Sequence, residues 1–101
     1  MDFFSLASGS SGNCIYLASG ETRLLIDAGI SAKRMEGYLL SNFIQPESIA
    51  AILITHEHSD HICGLKVFLK KHPLPVYATA GTIRGIKAQK GNETIPDELF
   101  H

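Results

Sequence analysis

With 101 residues, 45% of them apolar and 19% charged, the chain can build one core and is not an intrinsically disordered segment. Nine basic and ten acidic residues leave a formal charge of −1, so no net field draws it to nucleic acid or to an anionic surface. No stretch approaches the ~18 consecutive apolar residues of a membrane span. Along the chain, Phe3 to Leu6 reads as a first strand, followed by the Gly/Ser loop Ser8-Gly9-Ser10-Ser11-Gly12-Asn13. Cys14 to Ala18 and Thr22 to Asp27 read as a hairpin turning at Ser19-Gly20-Glu21. Ser31 caps a helix running to about Asn42, with Met35, Leu39 and Leu40 on its apolar side. Pro46 to Ser48 leads into a short buried strand, Ala51-Ile52-Leu53-Ile54, ended by Thr55. Ile62, Leu65, Phe68 and Leu69 then recur at helical spacing, opposite Lys66, Lys70 and Lys71. Leu74 to Ala78 predicts another strand, and Thr79 or Ala80 starts a helix to about Lys90, stopped at Gly91. Antiparallel strands first and strand–helix alternation later predict an α/β (α+β) fold, a mixed sheet with helices on its outer face.

Between the buried strand and the next helix lies His56-Glu57-His58-Ser59-Asp60-His61. His56, His58, Asp60 and His61 are four potential metal ligands within six residues, and three imidazoles with a carboxylate suit zinc or a similar borderline metal. One histidine in a polar loop is an ordinary structural residue; four such ligands together are read as a metal site. In an extended turn His56, His58 and Asp60 alternate sides while His61 reaches back, which favours two adjacent metals over one. The position is the carboxyl end of a strand, where open α/β sheets place their chemistry.

These features resemble the metallo-β-lactamase fold hydrolases. The resemblance is carried by His56-x-His58-x-Asp60-His61 after a buried strand and by Leu24-Leu25-Ile26-Asp27-Ala28-Gly29. Ser5 to Asn13 together with Thr55 to His61 narrow it to the bacterial YycJ/WalJ branch of DNA exonucleases, and the resemblance runs from Ser5 to about Phe100. It implies an α-β-β-α sandwich of which residues 1–101 are the amino-terminal half. It also implies two divalent metal ions, zinc first and manganese as the alternative, with His56 and His58 on one, and Asp60 and His61 on the other. Asp27 would brace the histidine loop from beneath by hydrogen bonding; without the resemblance it reads as a strand-ending turn residue. The implied chemistry is hydrolysis of a phosphodiester in nucleic acid by a metal-bridged hydroxide, with Asp60 also accepting a proton late in turnover. A thioester or lactam hydrolase on the same fold, and an inactive metal-binding fragment, are the alternatives. The diiron branch of the fold carries Glu where this chain has His58, which favours a hydrolase.

Two protein ligands per metal fall short of the three that catalytic zinc usually has. The family's remaining ligands lie downstream of this motif, so the chain reads as the amino-terminal part of a larger enzyme, nearly inactive by itself. His72, before Pro73, reads as a solvated helix-end residue, and His101 as a mobile terminal one. The Gly/Ser loop, through Ser8, Ser10, Ser11 and Asn13, either contacts substrate phosphate near the metal cleft or is a tight connection made by its glycines. The stripes Lys66/Lys70/Lys71 and Arg84/Lys87/Lys90 read as solvated helix faces before they read as a phosphate track. Cys63, two residues after His61, reads as a small buried side chain rather than a ligand. Cys14 and Cys63 at unrelated positions, and a start Met1-Asp2-Phe3-Phe4 without the basic residues of a secretory signal, suggest a reduced cytoplasmic protein.

Overall fold

The computed structural model describes residues 2–7 and 12–101, and the side chains of all of these except Asp2, Phe4, Ala7 and Asp60. Among the described residues five strands form one sheet in the order β1 (Asp2–Ala7), β2 (Cys14–Ser19), β3 (Thr22–Ile26), β4 (Ala51–Leu53) and β5 (Val76–Tyr77). The first three pair antiparallel, β4 and β5 parallel, so the sheet is mixed and open. Parallel pairing needs crossovers, which α1 (Ala32–Ser41) supplies before β4, and α2 (Ser59–Ile62) with α3 (Leu65–Lys71) before β5. After β5 come α4 (Ala80–Ala88) and single 3₁₀ turns at Asn92–Thr94 and Asp97–Leu99; another, at Pro46–Ser48, precedes β4.

Local chemistry sets the helix limits. The Ser31 hydroxyl accepts from Arg34 N–H at the start of α1, and the Thr79 hydroxyl accepts from Thr82 N–H at the start of α4. At the other end of α1, Phe43 N–H donates to Leu40 O and Ile44 N–H to Leu39 O, with Phe43 in the left-handed region at φ 62°. Leu40, expected on the apolar side of α1, is half exposed; Ala32, Met35 and Leu39 are its buried residues.

Strand register aligns Tyr16, Leu25, Ile52 and Val76 in one buried row across four strands. Met35 and Leu39 of α1, Leu65, Phe68 and Leu69 of α3, and Ile86 of α4 join the same cluster. Burying each such side chain contributes about 1.5–3 kcal/mol before entropy is charged against it. The opposite row, Ile15, Ile26, Leu53 and Tyr77, is also apolar yet only partly covered, and Phe3 is exposed as well. The fold is therefore a mixed, open sheet with helices over one face, as the order of strands and helices in the sequence predicts. Among the described residues no helix is long and apolar enough to cross a membrane.

Candidate functional site

The carboxyl ends of β3 and β4 lie side by side, with Ile26 opposite Leu53. Residues 27–30 then tie four segments together through backbone bonds. Asp27 N–H donates to Leu53 O (2.7 Å), Ala28 N–H to His61 O (2.7 Å), and Gly29 N–H to Asn13 O (2.8 Å), while Ala28 O accepts from Gly64 N–H (2.9 Å). Only glycine fits at position 64, because a Cβ there would lie 1.9 Å from Ile30 O. Asp27 takes φ 67°, a region that Asp tolerates better than most residues. This places a buried carboxylate, 4% exposed, directly behind the histidine loop.

That carboxylate accepts three hydrogen bonds. Oδ1 takes Thr55 N–H (2.7 Å), and Oδ2 takes both the Thr55 hydroxyl (2.7 Å) and His61 Nδ1 (2.8 Å). An ionised carboxylate only accepts, so His61 carries its proton on Nδ1, leaving Nε2 as the lone-pair nitrogen. The single Thr55 hydroxyl proton goes to Asp27, so toward His56 Nδ1, 3.1 Å away, that oxygen can only accept. His56 is thereby set to the same tautomer as His61. One buried carboxylate orients two imidazoles, one directly and one through Thr55, as metal-binding histidines are commonly oriented. The same negative charge, after burial itself, pushes the Cys14 thiol up to about 12.

The ring centroids of His56 and His61 are 4.9 Å apart, and those of His56 and His58 6.0 Å. His58 is the N-cap of α2, and Asp60 and His61 lie within that helix. The extended stretch therefore ends at His58, so the four residues do not share one extended turn as expected. The break at Cys63 and Gly64 likewise splits the expected single helix into α2 and α3. The Asp60 side chain lies outside the described residues. Imidazoles with carboxylate-fixed tautomers suit a borderline divalent metal. Among the described residues, though, no group of three or more His, Cys, Asp or Glu is placed to hold an ion, so these rings alone do not complete a shell.

Other expectations fare differently. Ser8, Ser10 and Ser11 lie outside the described residues; Asn13 is half buried and its carbonyl accepts from Gly29. His72 does cap the end of α3, its N–H donating to Phe68 O, but it is not solvated: its Nε2 lies 2.8 Å from Glu36 Oε2, and its ring packs on Phe68 with centroids 5.0 Å apart. His101 is not loose, since its N–H donates to Val76 O (2.8 Å) and its ring stacks on Tyr77. Cys63 is exposed rather than buried, with its thiol donating to Gly29 O (3.0 Å). Of the basic stripes, Lys71 meets Glu36 and Lys87 meets Asp97. Sequence reasoning passed over Thr55 as a mere strand end, although a hydroxyl just before a histidine was signal enough to ask what it orients.

The sequence profile of the metallo-beta-lactamase superfamily matches residues 7–93. The chain is 44% identical over 92 residues to the exodeoxyribonuclease YycJ of Bacillus anthracis, covering 91% of this chain and 35% of that protein. It is 46% identical over 85 residues to the exodeoxyribonuclease WalJ of Streptococcus pneumoniae serotype 2, covering 84% of this chain and 32% of that protein. The chain thus spans about a third of the length of these relatives. Among solved structures, a B3 metallo-beta-lactamase with an active-site glutamic acid superposes with a TM-score of 0.74 at 22% identity, over 85% of this chain and 33% of that one. That last likeness concerns the fold.

Proposed function

The chain belongs to the metallo-beta-lactamase superfamily, and from that premise we propose that the protein carrying it is a two-metal hydrolase that degrades DNA from a strand end. The observation that carries the metal reading is the packing of the His56, His58 and His61 rings at the end of β4, with Asp27 behind them. The choice of DNA rests on the likeness to two exodeoxyribonucleases. In this reading His56 and His58 hold one divalent ion, and Asp60 and His61 hold the second, zinc before manganese. Further ligands come from outside these 101 residues, and a second sheet covers the apolar row of Ile15, Ile26, Leu53 and Tyr77.

When bound, the two ions supply a nucleophile at neutral pH and neutralise charge developing on the phosphate. The chain's own residues do the positioning. Asp27 keeps the proton on His61 Nδ1 and, through Thr55, on His56 Nδ1, so neither ring must change tautomer to present Nε2. Asp60 serves as a ligand and takes up a proton late in turnover. Asn13, with Ser8, Ser10 and Ser11, is the proposed contact for substrate phosphate.

The test offers the full protein carrying this chain end-labelled duplex DNA, single-stranded DNA, a thioester and a β-lactam, each with and without chelator. Mononucleotide release from duplex ends, abolished by chelator and restored by zinc or manganese, is the expected result. Chelator-insensitive cleavage would overturn the metal reading. Thioester or lactam turnover with DNA left intact would overturn the substrate.

A further inference from the structure

We infer that the carboxyl-terminal turn of α4 is the seat of the histidine loop, and that Gly85 and Gln89 are positioning residues which set where His56 and His58 stand. The inference rests on the metal-site reading only for what the loop is for. Two contacts on opposite sides of one residue carry it. The side-chain amide of Gln89 donates to the Glu57 carbonyl, the backbone group midway between the two histidines. One helical turn earlier, the Glu57 side chain lies against the bare backbone of Gly85, where an added Cβ would stand 2.6 Å from Glu57 Cγ and 2.9 Å from Glu57 Cβ.

The second contact is strict because of the atoms involved. A clash with the far end of a glutamate is relieved by rotating the side chain, but Cβ is fixed to the backbone. Any residue larger than glycine at 85 must therefore push Glu57 itself, and with it the histidines on either side. Glycine inside a nine-residue helix costs roughly 1 kcal/mol relative to alanine, and the close approach of Glu57 is what Gly85 provides in return. The helix end that carries this seat is itself anchored. Asn92 Nδ2 donates to Ile86 O (3.1 Å), and Ile86 is fully buried in the core. Asp27 and Thr55 fix the ends of the loop from the sheet side, whereas Gln89 and Gly85 fix its middle from the helix side.

The experiment uses the full protein carrying this chain as Gly85→Ala, Gln89→Glu, Glu57→Gly and the double variant Gly85→Ala with Glu57→Gly, in which neither Cβ nor Cγ of residue 57 remains to meet the added methyl. Gln89→Glu keeps the shape and removes the donor. Zinc affinity is measured by chelator competition, thermal stability by calorimetry, and ring positions in the metal-free protein by the imidazole NMR signals of His56, His58 and His61. Gly85→Ala and Gln89→Glu should each weaken zinc binding about 10-fold, the lower end of what outer-shell changes cause. They should shift the His56 and His58 signals without zinc, and leave those of His61 nearly in place. Trimming Glu57 in the double variant should recover most of the loss, which a general destabilisation of α4 would not allow. Unmoved His56 and His58 signals in both single variants, or a double variant no better than Gly85→Ala, would overturn the inference. If the unaltered protein takes up no zinc, the metal reading fails, and the metal-free signals still decide whether α4 sets the loop.

Discussion

Replacing Asp27 by Asn keeps size and shape and tolerates φ 67°, yet it reverses one row of hydrogen bonds. Three donors converge on the carboxylate: Thr55 N–H, the Thr55 hydroxyl and His61 Nδ1. The backbone N–H cannot change its role, so the amide oxygen must stay at the Oδ1 position and the NH₂ group takes the place of Oδ2. There it faces a hydroxyl and an imidazole that had both been donating. The hydroxyl can rotate; the imidazole can avoid a donor–donor clash only by moving its proton to Nε2, which removes the metal-binding lone pair. Charge-assisted bonds of about 1.5–3 kcal/mol give way to neutral ones of about 1 kcal/mol, so a stability loss of about 1–3 kcal/mol is expected. Zinc affinity should fall about 10- to 100-fold. Asp27→Ala should lose a further ~1 kcal/mol, because alanine does not relax in the left-handed region. Calorimetry, zinc titration against a chelator and the ¹⁵N shifts of the His61 ring check these together. A variant Asp27→Asn that keeps both the Nδ1–H tautomer and the original affinity would refute the reasoning.

Thr55→Val should reduce zinc affinity by about 10-fold, chiefly through His56, and Thr55→Ser should restore it; equal losses in both variants would deny the hydroxyl its orienting role. The hydrogen bond from His72, with smaller help from Lys71, holds the Glu36 carboxyl below its ordinary 4.5 against the opposing effect of burial. A depressed folded value stabilises above the unfolded one and is lost as pH falls through the folded one, so the advantage over Glu36→Gln, at most ~1 kcal/mol, should be present near neutrality and fade as pH falls below the ordinary 4.5. Urea titrations across that range check it. Alkylation of the native protein should label Cys63 and spare Cys14, whose thiol is buried and raised to about 12; equal labelling would contradict the packing. Phe43, 96% exposed at φ 62°, occupies a helix-ending position that suits glycine, so Phe43→Gly should stabilise by roughly 0.5–1 kcal/mol and raise the melting temperature.

Most of the fold was legible because local rules and pattern agreed. Ser31 caps α1 where a capping serine was expected, and the strands Cys14–Ser19 and Thr22–Ile26 fall within a residue of the alternation that marks them. The helix after the histidine motif was misjudged because apolar spacing is blind to Gly64, whose close approach to Ile30 interrupts the helix. His72 and His101 were misjudged because their partners, Glu36 and Tyr77, lie far along the chain. The site was legible as composition, four ligand-type residues in six, and the resemblance implied the brace from Asp27, but the rest of the wiring was not legible. Thr55 and Gln89 act through contacts that no periodicity encodes, the second across 32 residues.

The central claim, that this histidine loop holds metal, is tested most directly by native mass spectrometry of the full protein carrying this chain, beside its His56→Ala and His61→Ala variants. Two divalent ions per chain are predicted for the unaltered protein, with one weakened by His56→Ala and the other by His61→Ala. An unaltered protein that carries no metal after incubation with zinc and manganese, or variants that retain both ions undiminished, would contradict the account.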